Sequence, residues 1–395
     1  MLPLNIVADE NIPLVSDLFG SLGSIHTLSG RDMTPETVRH ADVLLVRSVT
    51  RVDAALLEGS AVRFVGSATS GLDHIDAAYL RQRGIPFAYA PGSNADSVVE
   101  YVLATLLYLA VNRGEPLENK TLGVVGCGRI GSRMAMRAAA LGMRVLLCDP
   151  PLAEADDPSG TARNYLPLDT LIEQADALTF HVPLVREGPH PTWHMIGRGE
   201  LTALRPGTWL INTSRGAVFD NEALLEALQH AERRLAVALD VWEGEPVPSA
   251  ALVNSVDIAT PHIAGYSYDG KVAGTYMLRD AIASLPGMNM PGAEGVAGEG
   301  YGSAETLPVC APDPVLPATD WLCHLAQSMY DIWRDDLRMR RSWPDSDEEA
   351  ALHFRQLRRT YPRRRAFSLR RLPEGHAPEA LRKAARDGLG IQINS

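Results

Sequence analysis

Residues 121–150 constrain this chain more than any other stretch. Thr121-Leu122-Gly123-Val124-Val125 has the apolar run of a buried strand, and Gly126-Cys127-Gly128-Arg129-Ile130-Gly131 follows as a glycine-rich turn. Residues 130–141, rich in Ala, Met and Arg, read as a helix, and Val145-Leu146-Leu147-Cys148-Asp149 returns as a second strand closing on an acid. Gly126 permits the tight turn, Gly128 admits close approach of a pyrophosphate to the backbone, and Gly131 lets the helix pack against the strand with its N-terminal amides facing phosphate. Asp149 lies 21 residues beyond Gly128. A carboxylate there accepts hydrogen bonds from the ribose hydroxyls and repels a 2′-phosphate, so the unit predicts a dinucleotide site that takes NAD rather than NADP.

A chain of 395 residues exceeds a single core, and its 46% hydrophobic content can fill two or three. The net charge of −11 argues against polyanionic partners such as nucleic acid or an anionic membrane. The first residues enter a strand pattern directly, without a basic leader or cleavage signal, and no uncharged apolar run approaches the roughly 20 residues that span a bilayer. Cys127, Cys148, Cys310 and Cys323 show no metal-ligand spacing, which predicts reduced thiols, a cytoplasmic location and no bound metal.

Residues 4–8, 43–46, 64–66 and 85–89 read as strands separated by polar, helix-like segments, the pattern of a parallel sheet. A long apolar-periodic helix is expected over 95–112. Further strands follow at 177–181, 209–212, 235–239 and 257–259, completing the count of a doubly wound sheet. A helix-like run over 269–284 is expected to return to the first domain. The Gly/Pro/Met-rich stretch after it reads as a connection. The expected organisation is a discontinuous substrate domain (1–93 and 261–285), a cofactor domain (94–260), a flexible connection (286–304) and a C-terminal domain (305–395).

Three strand ends carry chemistry. Asn212-Thr213-Ser214-Arg215-Gly216 follows one strand, Asp240-Val241-Trp242-Glu243-Gly244-Glu245-Pro246 the next, and Pro261-His262-Ile263-Ala264-Gly265-Tyr266 the one after. The carboxyl ends of such strands are where doubly wound folds bind ligands. Arg, Glu and His converging there would supply a cation for a carboxylate, an acid to tune a base, and the base itself. Each alone reads equally well as a solvated or structural residue.

Together these residues resemble the D-2-hydroxyacid dehydrogenase superfamily. The likeness covers nearly the whole chain and includes Asp9-Glu10-Asn11-Ile12-Pro13, Val46-Arg47-Ser48-Val49-Thr50, Phe64-Val65-Gly66-Ser67-Ala68-Thr69, Cys148-Asp149-Pro150-Pro151 and Thr179-Phe180-His181-Val182-Pro183-Leu184. It extends to Tyr330-Asp331-Ile332-Trp333-Arg334-Asp335-Asp336 in the tail. The resemblance implies a doubly wound α/β NAD domain, a smaller flavodoxin-like substrate domain and a C-terminal α+β segment through which a homodimer forms. It implies that His262 is the acid/base, Glu245 its partner and Arg215 the grip on substrate. Arg129, Ile130, Val182, Thr213, Ser214, Asp240 and Gly265 join the glycines and Asp149 around the cofactor, although Asp240 reads equally as a structural strand-end acid. Ser48, Thr69 and Tyr266 are implied at the substrate, and Arg47 is an added candidate for a phosphate.

The implied reaction is NAD-dependent oxidation of 4-phospho-D-erythronate, a step of vitamin B6 synthesis. A sibling dehydrogenase of 3-phosphoglycerate or glyoxylate would share every motif, and so would an NADH-sensing binding protein. The segment 334–371 holds 12 arginines against six acids. One of Arg363, Arg364 or Arg365 is a candidate to reach an active site and neutralise a phosphate. The end of the chain, 375–395, matches no pattern in the resemblance.

Overall fold

The protein is described by a computed structural model over residues 3–155, 164–285, 307–309, 312–341, 343–344, 346–373 and 377–393. The expected connection 286–304 and Cys310 lie outside these residues. The chain divides into two compact units, Met1–Asp96 with Tyr266–Glu305, and Ser97–Gly265 with Thr306–Ser395.

In the first unit β1 (Leu4–Asp9), β2 (Gly23–Leu28), β3 (Val43–Val46), β4 (Phe64–Ser67) and β5 (Phe87–Tyr89) form one sheet in the order β2-β1-β3-β4-β5, every pair parallel. β3 and β4 are buried along their whole length, as expected of strands covered on both faces, and β3 is an uninterrupted apolar run. The helix Tyr268–Ala283 returns to this unit and adds Leu278 and Ile282 to a core with Ile6, Phe19, Leu45 and Phe64. Ser267 caps it by accepting the Gly270 N–H.

The second unit holds β6 (Thr121–Val125), β7 (Arg144–Cys148), β8 (Ala177–Phe180), β9 (Trp209–Asn212), β10 (Ala236–Leu239) and β11 (Ile258–Ala259). Their order is β11-β10-β9-β8-β6-β7, again all parallel, with Tyr165 adding one parallel bridge beside Leu147 on β7. β6 is flanked by β7 and β8, so the strand order reverses there, which is the switch point where such sheets bind ligands. The helix Ala95–Arg113 is long and apolar enough to cross a membrane, but 78% of its apolar window is buried inside the protein, as expected of a core helix.

The C-terminal segment is built of the helices Ala318–Met329, Ile332–Arg340 and Asp347–Arg359 and a small parallel sheet, β12 (Leu307–Pro308), β13 (Arg370–Leu372) and β14 (Gln392–Ile393), in chain order. The sequence pattern predicts a domain of its own here. Instead, Met339 and Phe354 enter the core that holds Leu210, Leu239 and Trp242. Asp336, fully buried, accepts the Ala259 N–H of β11 at 2.7 Å, and its partner Arg340 donates to the carbonyls of Val253 and Val256. These contacts make the segment part of the second unit.

Candidate active site

The glycine turn after β6 has the geometry its residues allow. Gly126 sits at φ 86°, where a side chain would be strained, and a Cβ on it would lie 2.7 Å from the His181 carbonyl oxygen. A Cβ on Gly131 would lie 1.9 Å from the Gly126 oxygen, so only glycine brings the helix Gly131–Ala140 this close to the turn. Arg129 is exposed and Ile130 half-buried beside Gly128, where a Cβ would meet nothing within 4 Å. Asp149 Oδ2 accepts the Cys127 N–H at 2.7 Å and Oδ1 the Leu152 N–H at 3.1 Å. Each oxygen keeps a further lone pair with which to accept from a ribose hydroxyl. Thr213 Oγ1 is buried without a hydrogen-bond partner among the described residues. A positive-φ turn, a close-packed helix N-terminus, a half-buried carboxylate and an orphaned hydroxyl together fit a dinucleotide.

The turn after β9 is set by Asn212, which is fully buried. Its Oδ1 accepts from the Ser214 N–H and hydroxyl, and its Nδ2 donates to the Arg215 carbonyl. A Cβ on Gly216 would lie 1.9 Å from the Trp242 carbonyl carbon, so the backbone beside Arg215 abuts the loop after β10 directly. In that loop Glu245 Oε1 accepts the Trp242 N–H at 2.9 Å, while Oε2 pairs with His262 Nδ1 at 2.8 Å. Nε2 is therefore the imidazole nitrogen that Glu245 does not engage. Burial pushes the Glu245 carboxyl up, but the His262 charge and hydrogen bond, the Trp242 N–H and the Arg358 charge outweigh it and hold the group below its ordinary value.

Asp240 is buried, and its carboxylate is taken up by its own protein. Oδ1 accepts from Thr260 Oγ1 (2.6 Å) and the Ile263 N–H (2.7 Å), and Oδ2 from the Ala264 N–H (2.8 Å). Its backbone oxygen accepts the His262 N–H at 2.6 Å. The side chain for which the resemblance implies a place near the nicotinamide thus organises the loop that carries His262. Val182 packs against Gly126, and Gly265 ends the His262 loop.

In the first unit Thr69 Oγ1 bonds Ser67 Oγ at 2.8 Å and the Gly71 carbonyl at 3.2 Å, and Ser48 is exposed just after β3. Arg47 is half-buried. Sequence reasoning overlooks Lys271, whose Nζ stands 5.1 Å from the centroid of the Tyr266 ring. Burial and the neighbouring Arg47 charge, opposed by Asp9, bring Lys271 down to about 8. Two cations close together and partly withdrawn from water invite an anion between them. Lysine is rare here, three among 37 basic residues, and that rarity was the available signal at position 271. Of the three tail arginines, Arg364 is turned inward and donates to two backbone carbonyls.

Comparison with known proteins agrees with this geometry. Residues 108–264 match the family model described as D-isomer specific 2-hydroxyacid dehydrogenase, NAD binding domain. Among solved structures, D-lactate dehydrogenase from Aquifex aeolicus, complexed with NAD and lactic acid, superposes with a TM-score of 0.58 at 25% identity, over 70% of this chain and 94% of that one. The 2-hydroxyacid dehydrogenase of Ketogulonicigenium vulgare does so with a TM-score of 0.61 at 25% identity, over 74% and 98%. The fold is that of an NAD-dependent 2-hydroxyacid dehydrogenase.

Similarity over the full length narrows the class. The chain is 50% identical over 397 residues to erythronate-4-phosphate dehydrogenase of Salinibacter ruber, covering all of both sequences, and 47% identical to that of Azotobacter vinelandii, covering 97% and 98%. The chain belongs to the erythronate-4-phosphate dehydrogenase family.

Proposed function

We propose that this protein oxidises 4-phospho-D-erythronate to 3-hydroxy-2-oxo-4-phosphooxybutanoate, in the cytoplasm, as a step of pyridoxine 5′-phosphate synthesis, and that it works as a homodimer. The observation that carries the chemistry is the 2.8 Å pairing of Glu245 with His262 Nδ1 in a loop abutted by the Arg215 turn. NAD, when bound, supplies the hydride acceptor. His262 Nε2 takes the C2 hydroxyl proton as hydride leaves C2, and Glu245 stabilises the imidazolium so formed. Arg215 holds the substrate carboxylate with its planar fork. Gly126, Gly128, Arg129, Ile130, Gly131, Asp149, Val182, Thr213, Ser214 and Gly265 line the cofactor.

In the first unit Arg47 and Lys271 take the substrate phosphate, with Ser48, Thr69 and Tyr266 on the hydroxyls. The identity of the full-length relatives and this pair of cations both favour a phosphorylated acid. Support for the dimer comes from apolar side chains that the C-terminal helices leave in water, Trp333, Leu337 and Leu352, the last 65% exposed. A steady-state assay comparing 4-phosphoerythronate, 3-phosphoglycerate and glycerate with NAD tests the substrate. The expected result is a kcat/KM for 4-phosphoerythronate at least a hundredfold above the others. Equal turnover of 3-phosphoglycerate would assign the sibling activity, and NADH binding without turnover of any of them would assign a binding protein.

A further inference from the structure

We infer that Arg364, in the C-terminal segment, is a positioning residue for His262. The inference rests on the role of His262 proposed above. Arg364 is 6% exposed, and one nitrogen of its guanidinium, Nη2, donates to two backbone oxygens: that of Ser97 at 2.6 Å and that of Ala264 at 2.8 Å. Ala264 is two residues beyond His262. The Arg364 Cζ stands 4.4 Å from the centroid of the Tyr330 ring, which covers one face of the cation. The carboxylates of Glu100 and Asp335 add a compensating field.

The carrier itself is fixed. Tyr361, three residues before Arg364, donates its hydroxyl to Asp335 Oδ2 at 2.6 Å, and Glu100 Oε1 accepts the Phe367 N–H at 2.8 Å. The chain on either side of Arg364 is thus held by the buried carboxylates of Asp335 and Glu100.

The loop it grips needs gripping. His262 lies at φ 58°, a left-handed conformation that a side chain with a Cβ adopts at an energetic penalty and keeps only where surroundings over-determine it. Asp240 supplies one half of that determination by accepting the N–H groups of Ile263 and Ala264. Arg364 supplies the other half, taking the carbonyl of Ala264 on the opposite side of the same residue. With both in place the backbone cannot relax, and Nδ1 of His262 stays on Glu245. A residue more than a hundred positions away in sequence, belonging to neither the glycine turn nor the strand-end loops, thereby sets the angle at which the imidazole meets its substrate.

The test compares Arg364→Gln and Arg364→Lys with the wild-type protein. Hydrogen exchange read by mass spectrometry should show peptides spanning 262–265 exchanging at least tenfold faster in Arg364→Gln, with the 123–134 peptides unchanged. Steady-state kinetics, on whichever 2-hydroxy acid the wild type oxidises best, should show kcat down at least tenfold, with the NADH dissociation constant within twofold. The primary deuterium isotope effect should rise as hydride transfer becomes limiting. Arg364→Lys, which keeps the charge and a donor, should recover part of the kcat, and it carries the same readings if Arg364→Gln does not fold. Unchanged exchange at 262–265, or exchange that rises uniformly over the unit, would overturn the inference. The exchange measurement needs no substrate, so a wrong substrate assignment would leave it intact.

Discussion

His262 Nδ1 is committed to Glu245 while Nε2 is not, and under the acid-base role proposed above that division fixes what each substitution does. His262→Ala should lower kcat by roughly 10²–10⁴-fold while NADH binds as before, checked by initial rates and by quenching of tryptophan fluorescence. Lys271 carries a second expectation. Because burial and Arg47 bring it down to about 8, it loses its charge as pH rises through that value, so kcat/KM for a phosphorylated substrate should fall above about pH 8. In Lys271→Met the limb should vanish, with KM raised below about pH 8 and converging on the wild-type value above it; a limb that persists in the variant would assign it to another group. The two sites differ in legibility. Arg215, Glu245 and His262 stand in short runs at strand ends, and a pattern of strands places them. Lys271 and Arg364 act through what surrounds them, burial, a like charge, a ring face, and none of these is written in the residues next to them.

At the level of elements, apolar runs located most strands because strands covered on both faces must be continuously apolar. Residues 43–46 are such a run, and 177–180 and 209–212 are nearly so, broken only by Thr179 and Asn212; all three are buried at every position. β2 escaped that reading because Gly23-Ser24-Ile25-His26-Thr27-Leu28 is an edge strand with no fully buried residue, and its signal is a weak alternation among polar side chains. Tertiary contacts such as the abutment of Gly216 on Trp242 were equally out of reach, since they join turns that follow different strands. Gly216→Ala should therefore force the turns apart. It should destabilise by about 1–3 kcal/mol as overpacking does, and reduce kcat more than it alters NADH affinity, measured by denaturant unfolding and steady-state rates. Asp336 makes a comparable join between the C-terminal segment and β11. Asp336→Ala strands Arg340 and the Ala259 N–H together and should lower stability by about 3–5 kcal/mol, read from the same unfolding curves.

Over the whole molecule, the parallel α/β class and the doubly wound cofactor sheet follow from a pattern of strands that the chain displays openly. The placement of the C-terminal segment does not, because its arginine-rich helices look like a solvated body while buried side chains among them, Met339, Phe354 and Asp336 with its partner Arg340, tie them to the sheet. Their outward faces carry the homodimer proposal: the double variant Leu337→Asp, Leu352→Asp should sediment as a monomer at concentrations where the unmodified protein is dimeric, with NADH binding retained. The inward face has another consequence. The last strand of the cofactor sheet and the loop beyond it are pinned by residues numbered above 330, and those leave a ribosome well after the strand and loop they pin. A nascent chain whose glycine turn and strand-end loops have already emerged still lacks the clamp on Ala259, so the end of the cofactor sheet stays unpinned until Asp336 has followed it out.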